Sequence, residues 1–409
     1  MATHNTQACI AGGGPAGLML GLLLARAGVD VIVLEKHADF LRDFRGDTIH
    51  PSTLEVMHEL GLLEKLLSRP HQKARRVTAR MGNLDFTVDF THVPTHCRFI
   101  AFMPQWEFLD FVADEAARYP NFTLLKRAEV TGLVEESGRI RGIRGSSPDG
   151  ALEIRCDLVV GADGRHSTVR EHAGLLSDEF GVPMDVLWFR LTREPTDPEE
   201  PQAHFSADGI FIMLNQGPHW QCGRVIAKGT LERIRAAGLD AFKTRIGELA
   251  PLVRNRLHEL HDWDAVKLLT VQIDRLRHWY REGLLCIGDA AHAMSPVGGV
   301  GINLAVQDAV AAANLLAAPL RERRLSVGDL KRVQTRREWP TRVTQRVQML
   351  MQNAVIKPIV AGEADFRPPL PFRLMARIPF LQRVPARLFG VGVRPEHVRS
   401  PAVNGSGKE

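Results

Sequence analysis

Gly12-Gly13-Gly14-Pro15-Ala16-Gly17 stands between a short apolar run at residues 7–11 and a longer one at 18–27, and Gly28 closes the longer run before a third at 30–34. The first run has the length of a buried strand, the second the length of a helix, and the third again that of a strand, so the chain opens on a βαβ unit. The glycines satisfy GxGxxG at its strand-to-helix junction. Gly12 permits the tight turn, Gly14 lets a pyrophosphate approach the backbone, and Gly17 lets the helix pack closely. The helix start, Pro15 and Ala16 included, turns its N–H groups toward the anion. Eighteen residues beyond Gly17, Glu35 ends the second strand, where a carboxylate accepts both hydroxyls of a ribose. A glycine turn followed by a surface acid is the plain alternative, but the two in register predict a dinucleotide site.

Working outward, a helix is expected over 51–67, strands over 84–90 and 98–102, and a helix over 106–118. Two strand-like runs, 130–135 and 139–144, flank a Ser137-Gly138 turn and lead to a strand at 152–160. Residues 180–273 have a different texture, with strand-like runs 184–191, 209–214 and 222–228 and a helical section at 231–260. After 284 the strand, glycine turn and long helix (303–316) return. The expected fold class is therefore α/β, with a discontinuous Rossmann-like dinucleotide-binding domain over 1–179 and 274–356. An inserted mixed sheet at 180–273 is expected to be joined by strands near 84–102. A helical C-terminal region leads into a Pro- and Arg-rich tail over 357–409.

The length of 409 residues suffices for such an assembly, and 44% hydrophobic with 24% charged residues excludes disordered and fibrous classes. A net charge of +5, from 52 Lys+Arg against 47 Asp+Glu, is too diffuse for a nucleic-acid partner. Five scattered cysteines show neither CxxC spacing nor a disulfide framework, so no metal is expected, and a reducing, cytoplasmic setting fits. The start of the chain lacks the features of a signal peptide.

Two further motifs carry chemistry. Asp157-Leu158-Val159-Val160-Gly161-Ala162-Asp163-Gly164 is an apolar strand ending in an acid-glycine turn, which puts Asp163 at a sheet edge. Gly288-Asp289-Ala290-Ala291-His292 follows a strand at 284–287 and precedes Pro296-Val297-Gly298-Gly299-Val300-Gly301-Ile302-Asn303, which opens a helix. Asp289 can accept hydrogen bonds from a polyol chain. The positive helix end after the glycines suits a ring that becomes anionic on reduction. His292 reads as structural.

In this order, and over nearly the whole length, these motifs resemble the para-hydroxybenzoate hydroxylase-like FAD monooxygenases. The resemblance implies that Gly12, Gly14, Pro15, Ala16, Gly17, Glu35, Lys36, Arg45, Gln105, Val130 and Asp163 meet the dinucleotide. It places Gly288, Asp289, Gly299, Gly301, Ile302 and Asn303 at the ribityl chain and flavin, with Pro296 beside the ring. It implies FAD reduced by transient NADH or NADPH, then reaction with O2 through a flavin C4a-hydroperoxide to hydroxylate an aromatic or other electron-rich, lipophilic small molecule. His50 lies where a substrate hydroxyl would be oriented, although a backbone-bonded histidine at a helix start is the plainer reading. On the inserted sheet, Trp188, Arg190, Phe211 and Met213 are expected to face the substrate.

The signature WxWxIP of flavin halogenases is absent, as is the close cysteine pair of disulfide reductases. The rivals that stay open are an FAD-dependent reductase or dehydrogenase of a quinone- or isoprenoid-like substrate and a flavin-binding protein without turnover. In the tail, Phe372, Leu374, Met375, Ile378, Phe380, Leu381, Leu388 and Phe389 alternate with Arg373, Arg377, Arg383 and Arg387. This mix suits weak contact with a membrane surface or packing on the protein itself. The oligomeric expectation is monomer or homodimer.

Overall fold

The computed structural model describes residues 2–41, 47–363 and 367–403. Its eight-stranded sheet contains five parallel strands in the spatial order Leu284–Cys286, Gly150–Gly161, Ala2–Ala11, Val31–Glu35 and Phe122–Lys126. The first strand is the switch point. From it the chain passes through the Pro15–Arg26 helix to one side of the sheet, and later returns with Gly150–Gly161 on the other. In open sheets of this kind ligands bind beyond the carboxyl ends of the strands at that reversal. Ala11 pairs with Gly161, so Gly12 and Ala162 leave the sheet side by side. The expected hairpin is present as Glu129–Glu136 and Arg139–Ser147, and its turn residues Ser137 (φ 51) and Gly138 (φ 80) are both left-handed, as a type I′ two-residue turn requires.

A second sheet has seven strands in the order Lys267–Leu269, Met184–Thr192, His219–Ala227, Gly209–Asn215, Gln202–Ser206, Arg76–Met81 and Leu84–Asp89. Its last two strands form an upstream hairpin whose Arg76–Met81 member pairs in parallel with Gln202–Ser206. The expected companion near residue 100 goes elsewhere. Ile100–Phe102 is buried at all three positions and joins Thr48–Ile49 and Gln72–Ala74 in a three-stranded sheet under the seven-stranded one's edge residues. It lacks the alternation of a one-sided sheet strand.

The helix expected over 51–67 is two helices, Pro51–Glu59 and Leu63–Leu67, because Gly61 takes φ 71 between them. The tail is also more ordered than its composition suggests, with helices Lys357–Val360 and Leu370–Arg377 and further turns to Val391. It returns to the first helix, where the Val403 N–H donates to the Arg26 carbonyl (3.0 Å). Val297–Arg321 is long and apolar enough to cross a membrane, but 83% of its apolar window is buried against the rest of the chain, including the first helix. It is the central helix of the core.

Candidate active site

Two helix N-termini meet at the switch point. At the first, Gly12 has φ 106, and a Cβ there would lie 2.3 Å from the Ala162 carbonyl oxygen; one on Gly17 would lie 1.9 Å from that of Gly12. A Cβ on Gly14 would meet nothing within 4 Å, so the backbone is closed on the protein side and open on the other. Glu35 is buried at the end of the second strand and accepts the Gly13 N–H (3.1 Å) and the His37 N–H (3.0 Å). A carboxylate at this position is also suited to accept ribose hydroxyls. Lys36 is exposed beside it, and Val130 is half-buried opposite Gly145.

The second N-terminus is that of Gly301–Arg321, and Gly301 is open in the same sense as Gly14. Between the two lies the Gly288–Ala290 turn. A Cβ on Gly288 (φ 59) would stand 3.0 Å from Ala16 Cβ and 3.6 Å from Ala305 Cβ, so only glycine lets both helix starts close on it. Asp289 is half-buried there. The glycine-rich turn before the helix is fastened from the Thr48–Ile49 side. The Thr48 hydroxyl (2.8 Å) and His50 Nε2 (3.1 Å) both donate to the Gly299 carbonyl, and the Ser52 (2.5 Å) and Thr53 (3.0 Å) hydroxyls donate to Asn303 Oδ1. Ile302 is buried between these ties.

His50 is therefore a fastener. Burial lowers its pKa to about 4 against the pull of the Gly299 and Gly298 carbonyls, which leaves a neutral ring bonded to backbone. Asp163 stands just after the Gly150–Gly161 strand. Its carboxylate accepts the Ser167 hydroxyl (2.5 Å) and the Val169 N–H (3.1 Å), and so organises the start of the short Thr168–His172 helix. Burial, its largest influence, raises its pKa. Arg45 lies outside the described residues.

The long helix Val327–Met351 adds supports that reading along the sequence missed. Gln345, Gln348 and, just beyond its end, Gln352 share one buried face at i, i+3 and i+7. Gln345 Nε2 donates to the Asp274 (2.8 Å) and Ala293 (3.1 Å) carbonyls, and Gln348 Nε2 to those of Ser295 (2.9 Å) and Val297 (2.8 Å). Gln348 Oε1 accepts the Ser295 N–H (3.3 Å), and Gln352 Nε2 donates to the Ser295 hydroxyl (2.7 Å). Pro296, half-buried, sits between the two residues that Gln348 holds. A second support is Asp308, fully buried, which accepts the Gly288 N–H (3.0 Å), His292 Nε2 (2.6 Å) and Arg337 Nε (2.9 Å). Burial pushes its carboxyl up, yet His292 and Arg337 together hold it below the usual range. The one signal available was Asp308, an acid inside the otherwise apolar Gly301–Arg321 helix; the glutamines lie in a polar helix where nothing sets them apart.

Above the second N-terminus, one face of the seven-stranded sheet forms a roof. Trp188 lies flat on Gly223, where a Cβ would be 2.7 Å from its ring; the ring is only 9% exposed, and its Nε1 has no partner. Arg190 is two residues on, hence on the same face, and is exposed. Phe211 and Met213, expected beside them, point the other way, into a core with Phe242 and Ile246. Ile212 and Leu214 take the Trp188 side, together with Val297 of the glycine turn. Alternation was read correctly there, but one residue out of phase, which exchanges the faces.

Asp47 joins roof to floor. It is buried, and its carbonyl accepts the Met103 N–H (3.0 Å) while its carboxylate accepts Gln216 Nε2 (3.3 Å). Burial raises its pKa to about 7, opposed by the backbone N–H of Gln105, the Gln221 side chain and the charge of Arg190. Gln105 is the first residue of the Gln105–Ala116 helix, so the expected cofactor glutamine lies at this seam.

The open Gly14, the open Gly301 and the glycine turn between them fit an elongated dinucleotide with its anionic middle on one helix start and its ring at the other. The family model described as FAD binding domain matches residues 5–347. The chain belongs to that family. It is 35% identical over 358 residues to 6-methylpretetramide 4-monooxygenase of Streptomyces rimosus, covering 86% of this chain and 85% of that protein. It is 26% identical over 337 residues to the uncharacterized aromatic compound monooxygenase YhjG of Bacillus subtilis, covering 77% of this chain but 62% of that longer protein. Among solved structures, OxyS anhydrotetracycline hydroxylase from Streptomyces rimosus superposes with a TM-score of 0.76 at 23% identity, over 94% of this chain and 76% of that one. This family member is an FAD-dependent monooxygenase supplied with electrons by a reduced nicotinamide. Among the described residues no group of acids, histidines and cysteines is arranged to hold a metal.

Proposed function

We propose that this FAD monooxygenase hydroxylates an extended, electron-rich aromatic molecule held between the Trp188 and Arg190 face of the roof and the glycine turn 296–303. The observation that carries the reading is the unpaired, buried Trp188 Nε1, on the face shared with Arg190 and in the apolar cluster against which Val297 of the glycine turn packs. A buried N–H without a partner is costly, and a substrate oxygen would satisfy it. The relative that acts on a pretetramide makes a polycyclic phenol the first class to try.

Bound FAD would supply the redox chemistry and O2 activation. The residues proposed to hold it are Gly12, Gly14, Pro15, Ala16, Gly17, Glu35 and Lys36 at the nucleotide end. Gln105 and Val130 flank it, and Gly288, Asp289, Gly299, Gly301, Ile302 and Asn303 line the ring end. The first-turn N–H groups of Gly301–Arg321 have no partner within their helix and, with the helix dipole, favour negative charge at that position. Thr48 and His50 fix the Gly299 carbonyl, and Pro296 shapes the turn. Trp188, Val297, Ile356 and Val355 pack together above the glycine turn and would keep water from the substrate. Residues 1–179 and 274–356 act as the cofactor-binding unit, and 180–273 with the 76–89 hairpin as the roof. The five cysteines are free and buried, which suits a reducing compartment.

The test is turnover with a reduced nicotinamide, a panel of hydroxylated bicyclic to tetracyclic aromatics and isotopically labelled dioxygen. One labelled oxygen per product is expected. Product formed without label would replace the reading with a dehydrogenase. Replacing Trp188 by Phe should raise KM several-fold while leaving FAD content unchanged, since it removes the donor and part of the roof's ring but touches no residue proposed to hold FAD.

A further inference from the structure

The Leu370–Arg377 helix is amphipathic in an unusual sense. Its inner stripe, Phe372 and Ala376, packs on the roof's hairpin, with Phe372 edge-on to Phe86 at a centroid distance of 5.1 Å. The outward pair at i and i+4 is also apolar, with Leu370 (62%) and Leu374 (41%) exposed, and Ile378 (44%), just past the helix end, is exposed as well. The turn that follows adds Phe380 (67%) and Val384 (56%). The same stretch of chain carries Arg367, Arg373, Arg377, Arg383, Arg387 and Arg394, all exposed, and no Asp or Glu occurs from 367 to 394; Arg373 and Arg377 lie on the helix itself, while Arg387 lines a cleft with Glu55 and Glu396. None of the six forms an ion pair with a described acid. The stretch alone holds more positive charge than the net +5 of the whole chain.

We propose that this segment docks on an anionic lipid bilayer, with the apolar stripe and Phe380 entering the acyl boundary while the arginines meet headgroup phosphates. A surface helix with a basic rim and exposed Leu, Ile and Phe has the two ingredients of interfacial binding, apolar burial and attraction to acidic lipid. A second copy of the chain fits poorly. A two-fold contact sets a patch against itself, and the arginines beside the stripe would face their own copies. A nucleic acid would use the arginines but leave the apolar stripe wet. The same segment leads directly to Phe389, whose ring lies where a Cβ on Gly298 would fall, 2.7 Å from its Cδ1. The docking face and the turn beside the cofactor ring therefore belong to one packed unit, placed where a lipophilic substrate concentrates. The docking itself is independent of which reaction the enzyme performs.

FAD-loaded full-length protein should co-sediment with vesicles of phosphatidylcholine and phosphatidylglycerol, weakly or not at all with phosphatidylcholine alone, and less in high salt. The double variant Leu374→Ser, Phe380→Ser alters only exposed side chains, so FAD content and Tm should hold while vesicle partitioning falls about tenfold or more. Arg373→Gln with Arg377→Gln should remove the preference for acidic lipid. Failure to bind acidic vesicles overturns the proposal. Binding unchanged by the Leu374 and Phe380 substitutions does so too, since that is charge attraction without insertion. So would light scattering showing a dimer that the same double variant dissociates, because the face would then belong to a second copy.

Discussion

The two open helix starts are built by different means. Around Gly14 almost every tie is backbone to backbone: the Gly12 N–H donates to the Leu34 carbonyl (2.8 Å), the Ala162 N–H to that of Ala11 (2.8 Å) and the Leu18 N–H to that of Gly14 (2.9 Å). Around Gly301 the ties are side chains from distant segments: Thr48, His50, Ser52 and Thr53 on one flank, Gln345, Gln348 and Gln352 on another, and Asp308 beneath. A backbone-built site is rigid and all-or-none. One held by side chains can be adjusted without unfolding, and its ionisable members make it sensitive to pH. That division suits a cofactor whose nucleotide end is an anchor and whose ring end must accommodate substrate.

The largest expected effect breaks the rigid end. Gly17→Ala puts a methyl 1.9 Å from the Gly12 carbonyl oxygen, and only backbone movement can relieve it. We expect purified variant to be colourless, with a stability loss of about 3 kcal/mol or more. Stoichiometric FAD and an unchanged Tm would show that this end yields after all.

Next in size is the adjustable end. Gln348→Leu keeps the volume but strips partners from the Ser295 N–H, the Ser295 carbonyl and the Val297 carbonyl. The cost should be about 2–3 kcal/mol, tempered by water entry. FAD should stay bound, because the Gly14 end is intact, while more NAD(P)H oxidation is wasted as hydrogen peroxide. If the variant instead loses FAD as completely as Gly17→Ala, the contrast between the two ends is wrong.

The same contrast explains what the sequence made legible. GxGxxG, Glu35 and the glycine turn before residue 301 are local patterns, set by which φ angles and close approaches only glycine allows, so they can be read in one pass. The supports of the ring end join residues far apart in the chain, such as Thr48 to Gly299 and Asp308 to Arg337, and no local pattern announces the pairing. Asp163 shows the limit of such a pattern, because an acid-glycine turn reads the same whether or not its carboxylate also caps its own helix start. Phe211 and Met213 misled because alternation fixes the period of a strand and not its phase. The phase came from helices 231–249 covering one face of the roof, which only packing decides.

The smallest effect, and the one opposite in sign, belongs to Asp47, where roof and floor meet. Its pKa is raised from 3.8 to about 7, so the folded protein holds the carboxyl protonated over a range in which the unfolded chain would ionise it. Below pH 4 both states are protonated and Asp47 is neutral in its effect. From there to pH 7 stability is progressively lost, and above pH 7 the loss is complete and constant. Asp47→Asn removes the ionisation and keeps an acceptor for Gln216 or the Gln105 N–H. It should therefore leave Tm unchanged near pH 4 and raise stability by about 1–2 kcal/mol at pH 8, below the ceiling that a shift of this size sets because one acceptor is lost. Arg190 and His219 share this environment; burial and Arg190 hold the His219 pKa below its ordinary value, so its titration is separable by the His219→Gln variant. A gain at pH 8 that persists at pH 4 would mean that the substitution improves packing and that Asp47 is not the titrating group. A loss at pH 8 would mean that ionised Asp47 holds Arg190 and the roof in place more strongly than burial opposes it, and the seam would then be an ion pair instead of a neutral latch.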